Sequence, residues 1–208
     1  MWITPAHRLS TGNPADVALL YEHGDIDKRY GFVMGGGKPE GAFVPKKEDV
    51  VPPCAVKTLP VQDGDVFDLG GVQIEAIAVP GHTVGTMVYL DRARRVLYSG
   101  DACNANTLLG LPCSTTVETY AKSLDHLATY LKGIDKFYGG HGLQAVPAYI
   151  VDEALILCEE ILSDDDYRFE AEFLGRKFLY ARKFDGMFHR EDGGIANIAY
   201  VMEKVYNK

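Results

Sequence analysis

Three short stretches, residues 80–85 (Pro-Gly-His-Thr-Val-Gly), 99–102 (Ser-Gly-Asp-Ala) and 139–142 (Gly-Gly-His-Gly), each set one ionisable side chain beside glycine, directly after a run that reads as a strand. This arrangement narrows the fold sharply. Strand, glycine turn and polar residue, repeated three times, call for a sheet whose strand ends converge, because glycine lets the backbone turn tightly beside a side chain that must reach a shared site. The three side chains are His82, Asp101 and His141. Imidazole nitrogen and carboxylate oxygen together suit zinc or another divalent metal.

The surrounding pattern supplies the sheet. Residues 61–69 and 72–79 face each other across Gly70-Gly71 and predict a hairpin; residues 87–90 and 95–99 predict a second one, turned by residues 91–94. Thr115-x-x-Glu118 has the form of a capping box. From there Val117, Tyr120, Ala121, Leu124, Leu127, Ala128 and Leu131 recur at helical spacing, while His126 falls off that face and is expected at the surface rather than on a metal. Residues 134–138 predict the strand that delivers His141. Residues 148–162 predict a second helix with Val151, Ala154, Leu155, Cys158 and Leu162 inward.

The two ends are less regular. Residues 2–4 read as a short strand, Asn13-Pro14 caps a helix reaching residue 21, and residues 31–53 form a Gly-, Pro- and Lys-rich excursion. Gly35-Gly36-Gly37-Lys38 is no phosphate loop, since Pro39 stands where Ser or Thr belongs. The tail from residue 164 alternates charge with Phe169, Phe173, Phe178, Phe184 and Phe188 and reads as a packed extension, with residues 195–201 as a closing helix. With 208 residues, no repeat and no linker, a single domain is expected: an irregular part over 1–60, a recognisable core over 61–162 and an extension over 163–208.

Charge and cysteine usage exclude several roles. A net charge of −8 without clustered Lys and Arg argues against nucleic acid. No apolar run has the length of a membrane span, and the first residues lack a signal peptide's basic and apolar regions, so a cytoplasmic protein off the membrane is expected. Cys54, Cys103, Cys113 and Cys158 form no Cys-x-x-Cys pair and are read as reduced thiols.

Taken together, the three loops resemble the second half of the metallo-β-lactamase superfamily, which carries a Pro-Gly-His-Thr-x-Gly turn, a strand ending in Gly-Asp and a later Gly-His. The resemblance covers residues 61–162. It implies an αββα sandwich, with two mixed sheets face to face and helices outside. It further implies that His82 completes a first zinc site, that Asp101 bridges two metals and that His141 binds the second. The activity implied is hydrolysis of an ester, thioester, lactone or amide in a small-molecule substrate through a metal-bound hydroxide. Asp101 at the bridging position looks more like the thioesterase and lactonase branch than like the antibiotic-resistance enzymes.

One family motif is missing. His-x-His-x-Asp-His should precede the excursion, yet among His7, His23, His82, His126, His141 and His189 no two are separated by a single residue. His23 and Asp25 are a weak substitute. The preferred account is that Met1 is an internal start, with residues 2–5 following the absent motif, which makes the sandwich N-terminally incomplete and its hydrolysis impaired. The alternative is a noncatalytic relative that keeps the scaffold for binding or assembly. An open sheet edge left by missing strands predicts a homo-oligomer. Thr83, Cys103 and Asn104 flank the expected metals and are candidates for substrate contact or for plain loop packing.

Overall fold

A computed structural model of the chain describes residues 46, 60–141, 145–173 and 176–207. The expected features upstream, including His23, Asp25 and the segments 2–5, 13–21 and 31–53, lie outside the described residues.

Both expected hairpins form. β1 (Val66–Asp68) pairs antiparallel with β2 (Gln73–Ala78), and β3 (Met87–Asp91) pairs antiparallel with β2 and with β4 (Val96–Gly100). Between β4 and its parallel neighbour β6 (Lys136–Gly139) the chain must cross over, since parallel strands cannot be joined by a tight turn. It does so through the two-residue β5 (Thr107–Leu108) and helix α1 (Val117–Ala128). With β7 (Val146–Pro147) at its edge, the first sheet has the order β1-β2-β3-β4-β6-β7.

Strand alternation decides which face is covered. Leu90, Leu97 and Phe137 sit opposite one another in register and, with Ile77 and Val88, are fully buried. They share one core cluster with Val117, Tyr120, Leu124 and Leu127 of α1 and with Val151, Ala154, Leu157 and Cys158 of helix α2 (Ile150–Ser163). Each large aliphatic side chain so buried contributes on the order of 1.5–3 kcal/mol. On the other face Tyr89, Tyr98 and Tyr138 line up across β3, β4 and β6, and the last two rings stack with centroids 6.0 Å apart.

The tail builds a second sheet. Its order is β5-β10-β9-β8, from β8 (Phe169–Phe173), β9 (Arg176–Tyr180) and β10 (Ile198–Tyr200), with β10 parallel to β5 and antiparallel to β9. Residues 195–201 therefore do not close the chain as a helix: three of them are β10. A short apolar run bounded by glycine carries no periodicity that separates strand from helix, and here all three strand residues are buried between two neighbours. Among the described residues, the helical turn that follows it is a 3₁₀ turn, Met202–Lys204. The tail's aromatic side chains pack as read, with Phe184 stacked on Phe188 and edge-on to Phe169, and Phe188 edge-on to Phe173.

The cap of α1 lies one residue beyond the expected Thr115. Thr116 is the N-cap, and its Oγ1 accepts from the Thr119 amide at 3.1 Å. Thr115 is instead drawn back to the His82 loop, where its amide donates to the Gly81 carbonyl at 2.8 Å. Among the described residues no helix is long and apolar enough to cross a membrane.

Candidate metal centre

Each of the three sequence-predicted residues leaves the first sheet at a strand end. His82 lies in the loop after β2, Asp101 directly follows β4, and His141 follows β6. The parallel pairing of β4 with β6 brings the last two together. The Gly140 amide donates to the Gly100 carbonyl at 2.8 Å, and His141 Nε2 then stands 3.3 Å from Asp101 Oδ1. Gly100 makes this possible: its φ of +53° is a left-handed conformation open to glycine, at a point where the β4–β6 register shifts.

Burial divides the pair into a fixed and an accessible member. Asp101 is 7% exposed, whereas the His141 side chain is 83% exposed. Gly140 backs the carboxylate closely enough that a Cβ there would lie 3.0 Å from Asp101 Oδ1. The backbone after Asp101 is held too, because the Tyr120 hydroxyl donates to the carbonyl of the next residue, Ala102, at 2.6 Å.

His82 is oriented by its own ring. Its Nδ1 is 3.1 Å from the Leu108 carbonyl oxygen, which can only accept, so Nδ1 is the donor and in the neutral ring Nε2 is the nitrogen with the lone pair. An imidazole whose second nitrogen donates to a backbone carbonyl is preset as a ligand through the first. As a donor set, two imidazoles and a buried carboxylate fit zinc. They do not gather into one cluster: among the described residues no group of three His, Cys, Asp or Glu is placed to hold a metal, and the contact that forms is Asp101 with His141.

The other flagged residues take structural parts. Cys103 turns inward, its thiol 3.6 Å from the Ile150 carbonyl and pushed up to about 12 by burial. The Asn104 side chain accepts from the Asn106 amide at 2.7 Å, and the Thr83 amide donates to Thr86 Oγ1 at 3.0 Å. His126 is half-exposed and pairs with Asp63 at 3.1 Å, away from the three loops. Sequence reasoning put Tyr120 only on the apolar face of the helix and Gly140 only in the His141 turn, without their part behind Asp101, and it missed Ser114. Their partners are backbone atoms or neighbouring carboxylates of distant residues, which leave no pattern along the chain.

The sequence profile of the metallo-beta-lactamase superfamily matches residues 14–152, more than half of the chain. The chain belongs to this superfamily. Two mixed sheets with helices form the family's α/β sandwich. Among curated proteins, the chain is 31% identical over 86 residues to the acyl-coenzyme A thioesterase MBLAC2 of Bos taurus, a stretch covering 40% of this chain and 31% of that protein. It is 35% identical over 101 residues to a hydroxyacylglutathione hydrolase of Brucella anthropi, covering 47% and 36%. The matches thus span close to a third of the length of these relatives. Among solved structures, a metallo-beta-lactamase family protein from Thermus thermophilus is 23% identical with a TM-score of 0.44, over 64% of this chain and 44% of that one.

Proposed function

We propose that the protein is a zinc-dependent hydrolase of thioester or ester bonds in a small molecule, with His82, Asp101 and His141 as the residues that hold the metal. The observation carrying this reading is the 3.3 Å approach of His141 Nε2 to the buried Asp101 carboxylate at the ends of parallel β4 and β6. A buried carboxylate is costly to maintain, and one held at a glycine-backed strand end beside an exposed imidazole is explained by a ligand that it serves. The relatives' names agree, since acyl-coenzyme A and hydroxyacylglutathione both carry an acyl group on a thiol.

Zinc, when bound, supplies a Lewis acid that polarises a carbonyl and renders water acidic enough to ionise near neutral pH. The chain's residues do the rest. Asp101 presents its carboxylate from a buried strand end, and His82 presents Nε2 because its Nδ1 is engaged by the Leu108 carbonyl. His141 brings Nε2 to within 3.3 Å of Asp101 Oδ1, so the two donor atoms stand side by side. With no His-x-His-x-Asp-His in the sequence, these three residues hold zinc weakly and hydrolysis is impaired.

Elemental analysis of the purified chain, joined to an assay on acyl thioesters, tests this. Zinc is expected below one ion per chain after dialysis, and Asp101→Asn should abolish both zinc retention and hydrolysis. Two tightly held ions would refute the impaired site. Unchanged hydrolysis in Asp101→Asn would refute the assignment of Asp101, and zinc retention with no hydrolysis of any thioester or ester would favour a noncatalytic binding protein.

A further inference from the structure

We propose that Ser114 and Lys204 are positioning residues for His82, forming a relay from the C-terminal 3₁₀ turn to the imidazole. Its functional consequence rests on His82 being a metal ligand; the relay itself does not.

The inner half is a single hydroxyl. Ser114 is 5% exposed, and its Oγ lies 2.8 Å from the His82 carbonyl and 3.1 Å from the Leu108 carbonyl while accepting the Leu111 amide at 3.2 Å. The Leu108 oxygen is the same atom that accepts the hydrogen bond of His82 Nδ1. One side chain therefore fixes both the backbone of His82 and the acceptor that sets its tautomer. Two further backbone bonds keep the loops in step: Val84 donates to Cys113 at 3.0 Å, and Thr115 donates to Gly81 at 2.8 Å.

The outer half is an ammonium without a carboxylate. Among the described residues no acid pairs with Lys204, and its Nζ instead meets the carbonyls of Leu111 at 2.7 Å, Pro112 at 3.2 Å and Ser114 at 2.5 Å. An ammonium has three N–H donors, and all three are spent on one loop. Lysine on a solvated surface has no reason to hold this geometry, because water satisfies the same donors at less entropic cost. The scaffold explains why the tail can reach. β10, just before Lys204, pairs with β5, and Leu109 donates to the Ala199 carbonyl at 2.7 Å, so the β5 carbonyl that orients His82 and the lysine that clamps the Ser114 loop hang on two hydrogen-bonded neighbouring strands.

Nitrogen-15 NMR of the full chain, histidine-labelled and treated with chelator, reads the His82 tautomer directly, with the signal assigned by its loss in His82→Gln. The wild type should show Nδ1 protonated at mildly alkaline pH. Ser114→Ala and Lys204→Met should each shift His82 to a mixture of tautomers, and Lys204→Arg, which retains several donors, should restore the wild-type state. Zinc affinity, measured by competition with a chromophoric chelator, should fall about 10- to 100-fold in the first two variants and recover in the third. Thermal melts establish that each variant is folded, and Ser114→Ala keeps the test open should Lys204→Met fail to fold. An unchanged tautomer in folded Ser114→Ala and Lys204→Met overturns the relay. A redistributed tautomer with unchanged zinc affinity sustains the relay and overturns His82 as a ligand.

Discussion

Gly81 shows how closely the residues around His82 are packed. A Cβ at this position would fall on the ring of Tyr120, 2.9 Å from its Cε2, and Tyr120 is fully buried beneath the loop that carries Asp101. Burial holds the Tyr120 hydroxyl well above the ordinary phenol range, so it stays a donor to Ala102 across working pH. Overpacking a site of this kind costs about 1–3 kcal/mol, and Gly81→Ala is expected to lower the urea midpoint accordingly. Tyr120→Phe, which removes only the hydroxyl, should cost about 1 kcal/mol by the same assay. A Gly81→Ala protein as stable as the wild type would mean that the ring can move aside. At this scale the sequence was half readable. His82, Asp101 and His141 stood out because chemistry-bearing side chains next to glycine at strand ends are uncommon. Tyr120, Ser114 and Lys204 did not, because tyrosine, serine and lysine bonding to remote carbonyls look like any other residues of their kind.

The elements were legible where a local period existed and illegible where pairing decided. Both hairpins and both helices follow from alternation and from three- and four-residue steps, and they lie close to where those patterns put them. β10 reads as helix along the sequence, since nothing within residues 195–201 reveals that β5 and β9 will flank it. The start of α1 shows a finer competition. Two adjacent threonines could each have capped the helix, and the loop settled the matter by pulling the Thr115 amide onto Gly81, leaving Thr116 to take the Thr119 amide. Thr116→Ala should therefore destabilise the protein by about 1 kcal/mol, the usual worth of an N-cap. Thr115→Ala, which keeps its backbone bond, should cost less in the same denaturation series. Equal losses would show the cap to be shared.

Across the whole molecule, the tail is joined to the first sheet's helices by charge as well as by packing. Arg190 donates to both carboxylate oxygens of Asp192, at 2.8 and 2.5 Å, and to the Ala196 carbonyl at 2.8 Å. Glu153 of α2 accepts the amides of Ile195 and Ala196 at 2.7 and 2.9 Å, and Arg182 pairs with Glu160 one turn from the end of the same helix. Hydrogen bonding from Arg190, then the Gly194 amide and the nearby charges of Arg190 and Arg182, outweigh burial and bring the Asp192 carboxyl down from 3.8 to about 2. A carboxyl whose pKa is lower folded than unfolded binds fewer protons in the native state. Its stabilisation is thus complete above about pH 4 and is lost as the pH falls through about 2. The Asp192 side chain is 45% exposed, so solvent and salt screen the effect and the contribution is a small one. Asp192→Asn should lower the melting temperature slightly at neutral pH and make it less dependent on pH between about 4 and 2, with the difference from wild type shrinking in high salt. Parallel melting curves for the two proteins throughout that interval would show that Asp192 does not titrate with folding.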